Sequence, residues 1–318
     1  MSTDPPAICL MGPTASGKTD LALRLADRFA VDIISVDSAL VYRGMDVGTA
    51  KPDPETLRRY PHRLVDIRDP EQRYSAGDFV RDATEEMQAS RTAGRMPLLV
   101  GGTMMYFRAL MRGLAGMPAA DRQLRVDLDA QAAVVGWPAM HRKLEAVDKE
   151  AARRISANDG QRIQRALEVY LVSGRPLSEW HATQRPRAGG TSAAFLKFAL
   201  VPEPRAVLHG RIEARLAAML ANGFLDEVRR LRARPGLTSG SPSMRAVGYR
   251  QLWSHLDDEC GLEVAVERAR AATRQLAKRQ LTWLRSEPEI EVLNPLEPRV
   301  FDTIVAAVGR SPVAARTE

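Results

Sequence analysis

The sequence predicts an α/β protein, a parallel sheet with helices on both faces, carrying a helical insertion. Three observations predict it. An apolar run near the N-terminus opens into a glycine-containing loop and then a helix. Apolar runs and helical segments alternate through the first third of the chain. Strand signals then vanish over 116–191. At 318 residues the chain exceeds the size at which a single core stops growing comfortably, so a large domain with a smaller insertion, or two domains, is expected. The expected division is 1–115 with 192–310 for the core and 116–191 for the insertion.

The first strand is read at AICLM, 7–11. LALRLADRF follows, with Leu21, Leu25 and Phe29, and Ala22 and Ala26, at helical spacing. DIISVDS is a buried-strand pattern ending on Asp37, and MPLLVGG a third strand at 96–102. YFRALMRGL after it reads as a helix. In such sheets ligands sit beyond the carboxyl ends of the strands, so the loops that begin at Gly12, Asp37 and Thr103 should meet in one place. From 116 onward charged, alanine-rich helical segments take over, including LRVDLDAQAA and NDGQRIQRALEVYLVSG. Asn158–Asp159 can cap the latter and Gly174 can end it. PRAGGTS is read as flexible, and FLKFALV at 195–201 as a return to the sheet. The remainder is mostly helical, with a loose tail after Gly309.

Hydrophobic residues make up 45% and charged residues 27%, as in ordinary globular chains. No apolar run is long enough to cross a membrane. The N-terminal MSTDPPAICLMG lacks the basic start of a signal peptide. Cys9 and Cys260 are the only cysteines, too few for a disulfide framework or a four-cysteine zinc site. The expectation is a cytoplasmic protein, with nothing that calls for more than a monomer. Lys and Arg number 46 against 39 Asp and Glu, a net charge of +7, which makes an anionic partner plausible.

GPTASGKT (Gly12, Pro13, Thr14, Ala15, Ser16, Gly17, Lys18, Thr19) matches GxxxxGK[ST] at every defined position and sits between a strand and a helix. It makes the core P-loop NTPase-like. Successive backbone N–H groups turn inward around an anion, and the helix dipole adds positive potential. Lys18 supplies a point charge to the terminal phosphates, and the Thr19 hydroxyl is placed to hold Mg²⁺. The motif leaves open whether the ligand is a nucleotide or a pyrophosphate ester. Asp37 has three readings: a Walker-B-like support for Mg²⁺, a general base facing the site, or a turn-capping residue. Thr103 either touches a phosphate oxygen or an acceptor, or closes a structural turn.

The segment 264–285 carries Arg268, Arg270, Arg274, Lys278, Arg279 and Arg285 against the single acid Glu267, six minus one, a local net of +5. On a 100° wheel Ala265, Ala269, Ala272, Leu276 and Trp283 form one stripe, with Arg270, Arg274, Lys278 and Arg285 nearly opposite. A core-packed helix with a single-sign face suits a polyanion such as RNA. Arg162 and Arg165 in GQRIQR, and Arg245 and Arg250 in RAVGYR, are weaker signals of the same kind. The five histidines are scattered without ligand spacing. Asp257–Asp258 does not extend to the DDxxD pattern with which many prenyl-chain enzymes hold Mg²⁺-pyrophosphate. If a pyrophosphate binds, the P-loop must hold it.

A series of stretches resembles one family, the bacterial tRNA dimethylallyltransferases: MGPTASGKT, VDSALVYRGMDVGTAKP, PHRLVDIRDP, YSAGDF, LLVGGTMMYFRAL, NDGQRIQRALEV, SMRAVGYRQLW and RQLAKRQLTWLR. They run in the family's order from Leu10 to Arg285. The resemblance implies that the P-loop grips the pyrophosphate of dimethylallyl diphosphate, with Mg²⁺ as cofactor, and that an adenosine beside the anticodon is flipped into a channel. By family match Asp37 is the base that takes a proton from the adenine exocyclic amine, Thr103 contacts the same region and the leaving oxygen, and Arg211 pairs with the pyrophosphate, with Arg215 its neighbouring alternative. The same match assigns contact with tRNA to Asp37, Ser38, Ala39, Leu40, Thr103 and Arg125, and to Gln161, Arg162, Ile163, Gln164 and Arg165. It extends to Arg245, Ala246, Val247, Gly248, Tyr249 and Arg250, and to Lys278, Arg279, Gln280, Leu281, Thr282, Trp283, Leu284 and Arg285. The helical insertion would clasp the anticodon arm. Leu40 stands where many members carry Gln, and no cysteine pair follows Arg285 to build the zinc finger of the nucleocytoplasmic members.

Two other readings use the same residues. A P-loop small-molecule or nucleoside kinase would use the loop 12–19 and Asp37 toward a hydroxyl acceptor, but leaves the basic helix unexplained. A non-catalytic RNA-binding ATPase module would need no base at Asp37.

Overall fold

The computed structural model describes residues 6–113, 116–182 and 195–310. The chain divides into two compact units, Met1–Met111 with Thr191–Glu318, and Arg112–Gly190. The stretch PRAGGTS and the tail from 311 lie outside the described residues.

The larger unit begins with β1 (Ala7–Met11), α1 (Lys18–Arg28), β2 (Val31–Val36), α2 (Pro54–Arg59), β3 (His62–Arg63), α3 (Ala76–Thr92), β4 (Met96–Gly101) and α4 (Met104–Arg112). The smaller unit holds α5 (Arg122–Val135), α6 (Trp137–Val147), α7 (Lys149–Arg154), α8 (Gly160–Ser173) and α9 (Leu177–Ala182). The chain then returns with β5 (Phe195–Leu200), α10 (Arg205–Ala221), α11 (Phe224–Arg232), α12 (Tyr249–Leu256), α13 (Leu262–Arg285), β6 (Glu291–Leu293) and α14 (Val300–Gly309).

The strands form one sheet in the order β3-β2-β4-β1-β5-β6, every pairing parallel. β1 lies between β4 and β5 and is buried along its whole length, which is why it reads as an unbroken apolar run rather than an alternating one. Its side chains still alternate between faces. Ala7, Cys9 and Met11 join a core with Leu99, Ala199, Phe79 and Leu281, while Ile8 and Leu10 join a second with Leu98, Phe198, Leu25 and Ile304. Helices therefore cover both faces, as the sequence predicts.

Capping follows the local sequence. Ser75 and Asp78 close a reciprocal capping box on α3. Asp159 caps α8 through the Arg162 amide, and Gly174 ends it in the left-handed conformation. The smaller unit has its own core of Leu128, Met140, Leu144, Ile163 and Leu167.

Three sequence expectations are corrected. β3 and β6 have no counterpart among the predicted strands, because two and three residues are too few to carry a pattern. The helix after β4 starts at Met104, earlier than the predicted Tyr106. In α13 the buried residues are Ala265, Ala269, Ala277, Gln280, Leu281 and Leu284, so the predicted stripe holds only in the first half. A wheel assumes one partner on one side. The buried side of α13 rotates along its length because its second half seats Gln280 against the loops after β1 and β4.

Candidate functional site

β2, β4 and β1 are neighbours in the sheet, so the loops leaving their carboxyl ends must converge. They line a cavity of about 520 Å³ that includes Thr14, Lys18, Thr19, Asp37, Ser38, Ala39, Leu40 and Thr103. The same cavity has an apolar lining from Ile212, Leu216 and Met219 of α10, Phe224 of α11, and Leu276 and Trp283 of α13. A second, more polar cavity of about 440 Å³ lies against Ala15, Ser16, Gly17, Arg24, Arg211 and Glu297. Lys18, Thr19 and Arg215 line both. The P-loop is thus the waist between two cavities.

The loop itself is built for an anion. Ala15 (φ 62°) and Gly17 (φ 89°) take left-handed backbone, which turns the intervening N–H groups toward one side. Gly12 is buried, and the Pro13 carbonyl accepts from Lys18 Nζ at 2.6 Å. Burial, then the nearby Arg215 cation, pulls the Lys18 ammonium down to about 7, against a smaller opposing effect of Asp37. Burial likewise lowers the Arg215 guanidinium. Its Nη2 donates to the Thr49 carbonyl at 3.1 Å, and its Nε is buried without a hydrogen-bond partner among the described residues. Two half-buried cations side by side, with no carboxylate bonded to either among the described residues, are a pocket that favours a polyanion. Arg211 lines the polar cavity, with its Nη1 3.8 Å from where a Cβ on Gly17 would stand.

Asp37 caps the turn that follows β2. Its Oδ1 accepts the Ala39 amide at 2.8 Å and the Leu40 amide at 3.3 Å, which holds the carboxylate in one orientation. Oδ2 has no hydrogen-bond partner among the described residues, and the residue lines the larger cavity. Thr103 Oγ1 accepts the Ser38 amide at 3.1 Å, so the loops after β2 and β4 are clipped together beside Asp37.

Mg²⁺ suits the hard oxygen donors at this place, the hydroxyls of Thr19 and Ser35 and the Asp37 carboxylate. Ser35 Oγ is buried without a partner among the described residues. No group of three or more His, Cys, Asp or Glu that could hold a metal exists among the described residues, so an ion here would depend on phosphate oxygens as well.

The remaining predicted residues divide by burial. Arg245, Ala246, Val247, Gly248 and Tyr249 line the larger cavity, and Arg250 is exposed. Lys278, Arg279, Thr282, Trp283 and Arg285 are exposed, whereas Gln280, Leu281 and Leu284 face inward. In the smaller unit Gln161 and Arg162 are exposed and Ile163 is core. Gln164 Nε2 donates to the Arg125 carbonyl and to Asp129. Arg125 binds the buried Glu168 through two bonds of 2.8 and 2.9 Å, and Arg165 adds a third of 2.7 Å. Burial alone would raise the Glu168 carboxyl, but these donors and the Asp121 amide outweigh it and hold it below its ordinary value. On α13 the basic face is partly neutralised: Arg270 pairs with Glu267 and Arg274 with Glu213 of α10.

Sequence reasoning missed Glu227. Buried in α11, it accepts the amides of Asp46, Val47 and Gly48 at 2.9, 2.7 and 3.1 Å, and the Tyr249 hydroxyl at 2.6 Å. It fixes the 46–50 loop, whose Thr49 carbonyl accepts from Arg215. No local signal marks it, since an acid in a helical segment reads as solvated.

The model of the IPP transferase family matches residues 40–287. A tRNA dimethylallyltransferase of Acidovorax sp. is 58% identical over 309 residues, with 95% of each chain covered. A tRNA dimethylallyltransferase 2 of Hahella chejuensis is 52% identical, with 96% of each covered. Among solved structures, a tRNA isopentenylpyrophosphate transferase of Bacillus halodurans superposes with a TM-score of 0.69 at 33% identity, covering 95% of this chain and 96% of the other. A matched family model spanning most of the chain, and relatives this similar over nearly their whole length, leave one conclusion: the chain belongs to the IPP transferase family, together with the tRNA dimethylallyltransferases.

Proposed function

We propose that this protein transfers the dimethylallyl group of dimethylallyl diphosphate to the exocyclic amine of the adenosine on the 3′ side of the anticodon in tRNA, releasing diphosphate. The carrying observation is the waist: Lys18, Thr19 and Arg215 face two cavities at once, one polar and cationic, the other lined by Asp37 together with apolar side chains. A diphosphate seated at the waist places its carbon chain beside Asp37. A kinase reading gives no role to that apolar lining, or to the exposed basic residues of α13.

The chemistry follows from the residues. An aromatic exocyclic amine is a poor nucleophile, because its lone pair is delocalised into the ring. As the amine nitrogen bonds to C1 of the dimethylallyl group, the C1–O bond breaks and its electron pair leaves with the diphosphate. The amine proton passes to Asp37 Oδ2, while the Oδ1 bonds to Ala39 and Leu40 keep the carboxylate aimed. P-loop amides, Lys18, Arg211 and Arg215 stabilise the departing oxygens. When bound beside Thr19, Mg²⁺ supplies further positive charge to the leaving diphosphate. Thr103 holds the Ser38 turn against the β4 loop and presents its hydroxyl to the reacting region.

The target base must leave its stack, which costs a few kcal/mol and least in a single-stranded loop, so an anticodon loop is the favoured substrate. Arg245, Arg250, Lys278, Arg279 and Arg285, with Gln161 and Arg162 of the helical unit, contact tRNA around it, and that unit takes the anticodon arm. The working form is a monomer in the cytoplasm. Incubation of unmodified tRNA with the protein, Mg²⁺ and dimethylallyl diphosphate tests the reading. Mass spectrometry of the digested nucleosides should find one added five-carbon group on adenosine at that position, and its absence would contradict the proposal.

A further inference from the structure

Phe224 is locked in place by two glycines from different motifs. A Cβ built on Gly48 would stand 2.0 Å from Phe224 Cε2, and one on Gly248 would stand 2.8 Å from its Cε1. The ring fills the slot those missing side chains leave, and it packs edge-on against Tyr249 with centroids 4.9 Å apart. Glu227 immobilises both neighbours, binding the Gly48 amide and the Tyr249 hydroxyl. Phe224 lines the larger cavity yet is only 1% exposed. It is a wall that cannot swing aside.

The helix before it, α10, carries the cavity's link to the waist. Arg215, which faces both cavities, shares that helix with Ile212, Leu216 and Met219. From Arg215 to Met219 is four residues, about 6 Å along the axis. That is close to the extended length of a single five-carbon isoprene unit. A chain leaving a diphosphate held by Arg215 and running along α10 would pass Leu216 and reach Met219, and Phe224, five residues on at the start of α11, lines the same cavity.

We propose that Phe224, with Met219, is the end wall that sets the length of the prenyl donor, admitting a five-carbon chain and excluding a ten-carbon one. This rests on the prenyl-transfer reading above. Apolar pockets discriminate weakly, by about 10–200-fold for a methylene more or less, so a close-packed aromatic stop that does not make room is what turns a longer chain away.

The test compares kcat/KM for geranyl diphosphate with that for dimethylallyl diphosphate in the unaltered protein, Phe224→Leu and Met219→Ala, alongside the KM for tRNA. The expected result is a shift of the ratio toward geranyl by about tenfold or more in either variant, with the KM for tRNA unmoved. Thermal unfolding identifies a variant that fails to fold; Met219→Ala, at a partly buried position, carries the test if Phe224→Leu does. An unchanged ratio in folded protein would overturn the proposal. An unchanged ratio with a raised KM for tRNA would overturn it in favour of a wall that holds the adenine. Failure of the unaltered protein to use either donor would contradict prenyl transfer itself.

Discussion

The side-chain oxygen of Gln280 accepts the Thr14 amide at 3.0 Å, across 266 positions of sequence. Its Nε2 donates to the Gly102 carbonyl at 2.8 Å, and a Cβ on Gly102 would stand 2.4 Å from that nitrogen. The basic helix α13 is therefore bolted to the P-loop and to the loop that carries Thr103. Gln280→Leu would leave the Thr14 amide without its partner, at about 1–3 kcal/mol, and strip one of two donors from the Gly102 carbonyl, which keeps the Met104 amide. Chemical denaturation should register that loss, and the KM for dimethylallyl diphosphate should rise because the loop is no longer held. A variant as stable as the parent, with unaltered KM, would show that the bridge does not position the loop.

Asp37→Ala should abolish transfer, a fall of roughly 10²–10⁴ in kcat, while tRNA binding stays nearly intact. Gel-shift and single-turnover measurements on the same preparation separate the two. Loss of binding with unaltered chemistry would remove Asp37 from its role as base.

The exposed cations of α13 should differ in weight. Lys278 and Arg279 form no ion pair among the described residues, whereas Arg274 is paired with Glu213. Neutralising Lys278 or Arg279 should each reduce the slope of log K against log salt for tRNA binding by about 1, and neutralising Arg274 by less. Slopes unchanged from the parent in all three variants would exclude α13 as an RNA face.

Lys18 makes the site's affinity and the fold's stability depend on pH. Its ammonium is lowered from an ordinary 10.5 to about 7, so between those values the unfolded chain binds a proton that the folded chain lacks. Its contribution to stability therefore falls as pH drops from about 10.5 to about 7, and is constant below. Diphosphate favours the charged form, so binding near pH 8.5 should take up a proton. Calorimetry in buffers of different ionisation enthalpy should detect that uptake, and Lys18→Arg, charged throughout, should lack it. Equal uptake in both proteins would assign it elsewhere.

The strands that carry the site were readable because buried parallel strands are short apolar runs, and those at 7–11 and 96–102 end in loops whose glycines interrupt them. Gly12, Asp37 and Thr103 could be placed together on that basis alone. What periodicity does not carry is partnership at long range. Arg125 and Arg165 read as RNA contacts, yet their guanidinium groups meet a buried carboxylate on α8. Arg211 and Arg215 are one helical turn apart and equally basic on paper; only the packing of α10 puts Arg215 at the waist. Gly48 and Gly248 sit in separate motifs, and their shared purpose becomes visible once Phe224 is found between them.

On the proposed function this P-loop holds the diphosphate of a prenyl donor and not a nucleotide to be split. Unmodified tRNA and Mg²⁺ should be incubated with the protein and carbon-labelled dimethylallyl diphosphate, beside a parallel reaction with γ-labelled ATP and nucleoside acceptors. Label should enter tRNA from the prenyl donor, and no phosphate should move from ATP. Phosphate moving to a small acceptor while tRNA stays unlabelled would contradict prenyl transfer and make the protein a kinase.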